Sequence, residues 1–531
     1  MIRTASRAAR RGAAAASLAA MFLGTATAQI SDPVRLDAGR IRGADTDVEG
    51  IRVFRGIPFA APPVGDLRWR MPQPVQSWSG VRDATQFGNI CIQAPGRGRL
   101  NIAVLPESPP MSEDCLYLNV WTPADSRNER LPVMVYFFGG AWTEGAGSIP
   151  LYDGTALAEK GVVVVTMNYR LGAFGFFAHP ELTADSGHSA SGNYGLGDKI
   201  GSLEWVRDNI AAFGGDPDNV TIFGQSAGAA SIATLVASPL ADGLFHRAIS
   251  QSGTWMGLGP SNSVRGLASA EQAGTEQAAA AGASTAAQLR GLSADDVVEH
   301  LRSAGVIIDG YVIPEDPNVV FAQGRQNAVD VLTGSNKNDS FFPAQPDLEA
   351  FRNRMSGQWE DLAERYFEQY PASTGEEAAA MTSQTSNDGT FWISRIFAEY
   401  QRQRGNRAWV YQFAQNPPGG GGPDFPAAHA AEIPYVFNNL GELPLFPDGS
   451  IAYWSGNSAP DARVADQMSS YWTNFARSGD PNGPGLPRWP EHSGLDAVDA
   501  MILDADPASE RLPELGRMQL FDEKYYHRFV E

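Results

Sequence analysis

The chain has 531 residues, room for one very large core or roughly two to three ordinary ones, and its 43% hydrophobic content is that of a folded globular protein rather than a disordered one. Its 60 acidic against 40 basic residues leave a net charge of -20. A polyanion would be repelled at long range, which excludes nucleic acid and anionic membrane surfaces as partners and leaves the fold and oligomeric state open.

At the N-terminus, Arg3, Arg7, Arg10 and Arg11 precede an apolar run from Gly12 to Gly24 and then Ala26-Thr27-Ala28. This is the pattern of a signal peptide, residues 1–28, with the mature chain beginning at Gln29. The run is too short to span a bilayer, although a permanent anchor is the competing reading, and the Arg10-Arg11 pair leaves the Sec and Tat export routes both open. No later segment is long and apolar enough to cross a membrane, so no membrane association is expected after signal removal. The only two cysteines, Cys91 and Cys115, read in an exported protein as one disulfide, with two free thiols as the alternative.

Short strand-like pieces separated by Pro and Gly turns run to about residue 125, among them Ile51 to Phe54 and Leu116 to Trp121, and predict N-terminal antiparallel strands. The pattern then changes to apolar runs separated by helical stretches: Val133 to Phe138, Val162 to Met167, Val220 to Phe223, Ala248 to Ser250, Val329 to Thr333 and Ala408 to Phe413. Such alternation predicts an α/β fold with a central, mostly parallel sheet and helices on both faces. Ile200, Leu203, Val206 and Ile210 mark a helix that Gly214-Gly215-Asp216-Pro217 ends. Helical stretches near 264–305 and 345–403 interrupt the strand series as cap insertions, so residues 29–531 read as one catalytic domain. No internal repeat is present, and Pro417 to Pro423 is a Gly-rich loop.

The strongest local signal is Val220-Thr221-Ile222-Phe223-Gly224-Gln225-Ser226-Ala227-Gly228, a strand running into Gly-x-Ser-x-Gly and then a helix of small residues. That is a nucleophile elbow, whose flanking glycines let strand and helix backbones approach around a strained serine. Upstream, the strand Val133 to Phe138 ends in Gly139-Gly140-Ala141-Trp142, where bare backbone N–H groups can meet an oxyanion; Gly140, Ala141 and Ala227 are the candidate donors. A serine needs a histidine base, and the base a carboxylate, in the chain order Ser, acid, His. His429 follows the Gly-rich loop, whereas His492 and His527 fall in a polar tail and read as surface residues. Asp339 sits in the loop beyond the Val329 strand and is the chosen acid; Asp309, Glu315 and Asp316 are its rivals.

These motifs resemble the type-B carboxylesterases, the cholinesterase-like branch of the α/β-hydrolases. The similarity rests on Phe54 to Gly65, Ser112 to Trp121, Asn168 to Gly172, Phe213 to Pro217 and Ala428 to Phe437, in that family's order, over nearly all of the chain after the leader. It implies the α/β-hydrolase fold, the Cys91–Cys115 disulfide, a Ser226, Asp339, His429 triad, and an oxyanion hole at Gly140, Ala141 and Ala227. Three features depart from the pattern. The acid is Asp339 followed by Ser340 where the family usually has Glu-Gly, one methylene shorter; Gln225 stands where many members carry glutamate; and the Cys91–Cys115 segment holds no Trp, Tyr or Phe to stack a quaternary ammonium, which disfavours a cholinesterase.

The expected reaction is acyl transfer from a small-molecule ester to water through an acyl-enzyme on Ser226, with no cofactor and no metal. Trp142, Gln225, Trp255 and the aromatics of the two insertions are the candidate substrate contacts. Simple aryl or alkyl esters, a polyester, or a natural-product ester such as fumonisin all fit. An amidase or lactamase with the same triad, and a non-catalytic binding module of the same fold, are the competing readings.

Overall fold

The computed structural model describes residues 30, 32–94, 109–258, 265–340, 347–415, 427–443, 453–455, 458–496, 499–511 and 515–526. The leader, the Gly-rich loop and His527 lie outside the described residues.

Among the described residues, eleven strands form the central sheet: β1 (Ala44–Asp45), β2 (Arg52–Pro58), β3 (Tyr117–Thr122), β4 (Leu131–Phe137), β5 (Val163–Met167), β6 (Gly215–Gln225), β7 (Arg247–Gln251), β8 (Asp330–Asn336), β9 (Ala408–Phe413), β10 (Asp499–Leu503) and β11 (Ala508–Arg511). Across the sheet they lie in the order β11-β10-β9-β8-β7-β6-β4-β5-β3-β2-β1. The strands from β4 to β10 pair in parallel, while β3, β2 and β1 at one end and β11 at the other pair antiparallel. Every residue of β5 and all but the first of β4 are buried, so both alternating faces of these strands are covered, as the unbroken apolar runs predict.

Six helices matter for the site: α1 (Tyr194–Asn209), α2 (Ala227–Ala237), α3 (Leu267–Ala280), α4 (Leu348–Trp359), α5 (Gly375–Gln403) and α6 (Ala459–Ser478). Helix α2 is buried along its whole length, and its small residues let it pack closely on β4, β6 and β7. Helix α5 begins at a capping box, Thr374 with Glu377, and packs on β8, β9 and α4. The two insertions seen in the sequence are helical, with α3 in the first and α4 and α5 in the second.

The polar-tail reading of the C-terminal region is corrected. Helix α6 starts at a second capping box, Ser458 with Asp461, and buries Val464, Met468, Tyr471, Trp472 and Phe475, a three-and-four spacing that marks a core-facing stripe. Beyond it β10 and β11 extend the sheet. His492 is buried rather than exposed: its N–H donates to Ala408 O at the start of β9, and its ring meets the Glu399 carboxylate at 3.2 Å. The segment carrying it packs along β9, where Trp489 Nε1 donates to Val410 O.

Candidate active site

The register of the parallel strands levels their carboxyl ends, because Gln225 pairs with Gln251 and Gln251 with Gly334. The residues just beyond these ends meet, as in other open parallel sheets. Ser226 follows β6 as the N-cap of α2 at φ 55° and ψ −124°, a left-handed conformation costly for a residue with a Cβ. Its own N–H donates to Gln251 O at 2.9 Å, which helps hold the strained turn. The turn closes only because Gly228 lacks a side chain: a Cβ there would overlap the Phe137 carbonyl oxygen.

The loop after β4 is shaped by three consecutive positive φ values, at Gly140, Ala141 and Trp142. Gly140 O accepts from Thr143 N and Glu144 N, and Tyr169 fixes the strand end by donating to Phe138 O at 2.9 Å while stacking on the Phe138 ring. Among the described residues the N–H groups of Gly140, Ala141 and Ala227 donate to no protein acceptor. They are available to an oxyanion beside Ser226.

His429 lies on the loop before Ile433–Val436, and Asp339 on the loop after β8. His429 Nδ1 is 2.5 Å from Asp339 Oδ1, and Asp339 is buried with its other oxygen accepting from Asn336 N at 3.1 Å. The shorter acid therefore reaches the imidazole. The two loops are laced together: Asn338 N donates to Ala427 O, and Asn336 Nδ2 to Ala428 O. With Nδ1 protonated toward Asp339, the lone pair is on Nε2. The Gln225 side-chain amide stands 3.0 Å from that nitrogen. The rival acids are engaged elsewhere, with Asp309 accepting from the N–H groups of Tyr311 and Ile313, Asp316 capping the helix Pro317–Ala322, and Glu315 pairing with Arg325.

Behind the imidazole lies a carboxylate that the sequence reading did not single out. Glu432, fully buried, accepts from Asn336 Nδ2 at 2.6 Å and Gln251 Nε2 at 3.2 Å, and Trp472 Nε1 in turn donates to Gln251. Burial first, and then the charge of Asp339, push its pKa up to about 7. The available signal was its place three residues after His429 in the Ala428 to Phe437 motif.

A cavity of about 620 Å³ opens against Ser226. Trp142 and Trp255 both stand in its wall, and Trp142 is held by a 2.9 Å hydrogen bond from Nε1 to Ser231 Oγ. Of the insertion aromatics only Trp392 reaches it; Trp359 and Tyr366 are buried and stacked on each other at 5.0 Å between centroids. Cys91 and Cys115 are disulfide-bonded, with Cα atoms 5.0 Å apart. Among the described residues no group of three or more His, Cys, Asp or Glu side chains is arranged to hold a metal ion, and no helix is long and apolar enough to cross a membrane.

The profile of the carboxylesterase family matches residues 31–515. The fumonisin B1 esterase of Sphingopyxis macrogoltabida is 38% identical over 504 residues, covering 90% of this chain and 89% of that protein. The para-nitrobenzyl esterase of Bacillus subtilis is 35% identical, covering 92% and 98%. The solved carboxylesterase of Geobacillus stearothermophilus superposes with a TM-score of 0.74 at 32% identity, over 92% of this chain and 99% of that one. An elbow serine, a carboxylate-held imidazole and a match that runs through almost every element of the sheet lead to one conclusion: this chain belongs to the carboxylesterase family, with the α/β-hydrolase fold, and is a serine carboxylic ester hydrolase.

Proposed function

We propose that Ser226 is the nucleophile, His429 the general base and Asp339 the acid that orients it, with the N–H groups of Gly140, Ala141 and Ala227 as the oxyanion hole. The observation that carries this reading is the 2.5 Å contact between Asp339 and His429 Nδ1, which leaves Nε2 unprotonated next to the residue that precedes Ser226. Asp339 fixes the tautomer and stabilises the imidazolium that forms. Ser226 Oγ attacks the ester carbonyl as His429 Nε2 takes its proton, and the negative charge collects on the former carbonyl oxygen, facing the free N–H groups. His429 then returns the proton to the departing alkoxide. Water attacks the acyl carbon as His429 takes its proton, and His429 then hands that proton to Ser226 Oγ as the acyl–Oγ bond breaks and the acid leaves. The Gln225 amide donates toward the same Nε2 in the resting site, so it has to yield that lone pair before the serine proton moves.

Residues 1–28 act as an export signal, and residues 29–531 form one catalytic domain whose insertions near 264–305 and 345–403 cap the sheet's carboxyl edge, in a periplasmic or secreted protein. The arginine-rich leader and the disulfide support this. The substrate is a small-molecule carboxylic ester, and the similarity to a fumonisin B1 esterase favours a natural-product ester over a simple one.

The test is p-nitrophenyl acetate and butyrate hydrolysis by the chain from Gln29 and by Ser226→Ala, with intact mass after an organophosphonate probe. We expect one adduct, mapped to Ser226, and a fall in kcat of at least about a thousandfold in the variant. A wild type that neither turns over nor labels would point to a binding module of the same fold. Faster cleavage of a matched anilide than of the ester would point to an amidase.

A further inference from the structure

Resting on the esterase reading, we propose that the site selects esters that carry a free carboxylate away from the scissile bond, and that Arg354 binds that carboxylate. The cavity beside Ser226 has two kinds of wall. Trp142, Trp255, Leu258, Met355 and Trp392 supply apolar surface. Beside them, one face of α5 presents Thr382, Thr385, Ser386, Gly389 and Thr390, positions three and four apart that fall on a single helical stripe, with Trp392 on the same helix. At the edge of this hydroxyl-bearing face, α4 contributes Arg354.

Among the described residues, Arg354 is the only charged one in the cavity lining, and no carboxylate lines it. Its guanidinium donates from Nη2 to Thr382 Oγ1 at 3.0 Å, and among the described residues it forms no ion pair. The single bond to a neutral hydroxyl leaves the rest of the planar fork able to take a carboxylate with two parallel N–H donors, an arrangement that an ammonium cannot copy. Thr382 sets the fork's direction, while Thr385 and Thr390 donate their hydroxyl protons to carbonyls one turn back on α5. The ligand that matches both walls is an amphiphilic ester, with an apolar body against the tryptophans and an anionic end at the α4–α5 rim.

Two pairs of esters test this, each a carboxylate and its methyl-capped neutral partner. On the acyl side they are 4-nitrophenyl hydrogen adipate and methyl 4-nitrophenyl adipate; on the alcohol side, 4-carboxyphenyl butyrate and its methyl ester. The readout is the ratio of kcat/KM for the anionic ester to that for the neutral one, in wild type, Arg354→Gln and Arg354→Lys. We expect the ratio to fall roughly three- to fivefold in Arg354→Gln on at least one side, the size of one ion pair at a solvent-exposed rim, and Arg354→Lys to recover part of it. Which pair responds assigns the anion to the acyl or the alcohol side. A ratio unchanged in Arg354→Gln for both pairs, with all four esters hydrolysed, overturns the proposal and leaves the esterase reading intact. Failure of wild type to hydrolyse even the neutral esters would instead remove the reading on which it rests.

Discussion

Glu432 stands close behind His429, the proposed base, and its raised pKa makes the stability of the fold sensitive to pH. Its pKa of about 7 lies above the roughly 4.3 of an unfolded chain. Between these values the folded protein keeps a proton that the unfolded chain has already released. Stability therefore falls as pH rises from about 4 to 7, by up to about 1.4 kcal/mol per pH unit from this group. Urea unfolding of wild type and Glu432→Gln at pH 5 and pH 7.5 checks it. We expect the variant to lose less stability between the two pH values, because glutamine cannot ionise; equal losses would mean that Glu432 is already ionised at pH 5. Ser226, His429 and Asp339 are readable in the sequence because each sits at a marked strand end or motif. The Gln225 contact with His429 and the position of Arg354 are not, since both depend on side chains from distant segments meeting in space.

At the scale of elements, the junction of β6 with α2 carries the strongest constraint. Ser226 holds a positive φ, α2 begins at once, and the Gly228 Cα is pressed against the Phe137 carbonyl of β4. Gly228→Ala would place a methyl group on that carbonyl, so β4 and α2 would have to separate at the point where Gly139 and Gly140 follow. We expect a folded core with thermal stability lowered by a few kcal/mol, in the range of overpacked cores, and esterase activity reduced by more than the lost stability explains. Activity and circular dichroism measured well below the melting temperature separate the two effects. Wild-type activity in Gly228→Ala would show that the turn tolerates a Cβ. This junction was legible because strand, turn and helix are contiguous and each glycine has a local reason. Helix α6 was not, although Ser458-Ala459-Pro460-Asp461 and the following apolar spacing carry the signal; the polar residues between the stripes hid the buried face. The sheet order was also beyond reach, since β6 lies beside β4 rather than β5 through crossovers that no local pattern encodes.

Across the whole molecule, the alternation of apolar runs and helices was enough to predict a mostly parallel sheet, because strands covered on both faces have no polar side to show. The antiparallel additions at both ends extend that sheet but do not move the site, which remains at the carboxyl ends of β6 and β8. The disulfide lies beside one of the contacts that join the N-terminal part of the chain to this site. Cys91 ends the short strand Ile90–Cys91, and Gln93, two residues on, clamps the loop of the proposed oxyanion donors: its Nε2 donates to Gly145 O at 3.1 Å and its Oε1 accepts from Gly145 N at 2.9 Å. The bond closes a segment with a sequence separation of 24, for which chain entropy gives about 3 kcal/mol. Its loss should be felt first where Gln93 holds Gly145, only a few residues from Gly140. In the double variant Cys91→Ala/Cys115→Ala we therefore expect heating to abolish esterase activity several degrees before far-ultraviolet circular dichroism reports unfolding. In the disulfide-bonded protein the two transitions should coincide. Coincident transitions in both proteins would mean that the disulfide stabilises the fold as a whole and the Gln93 clamp holds the oxyanion loop without it.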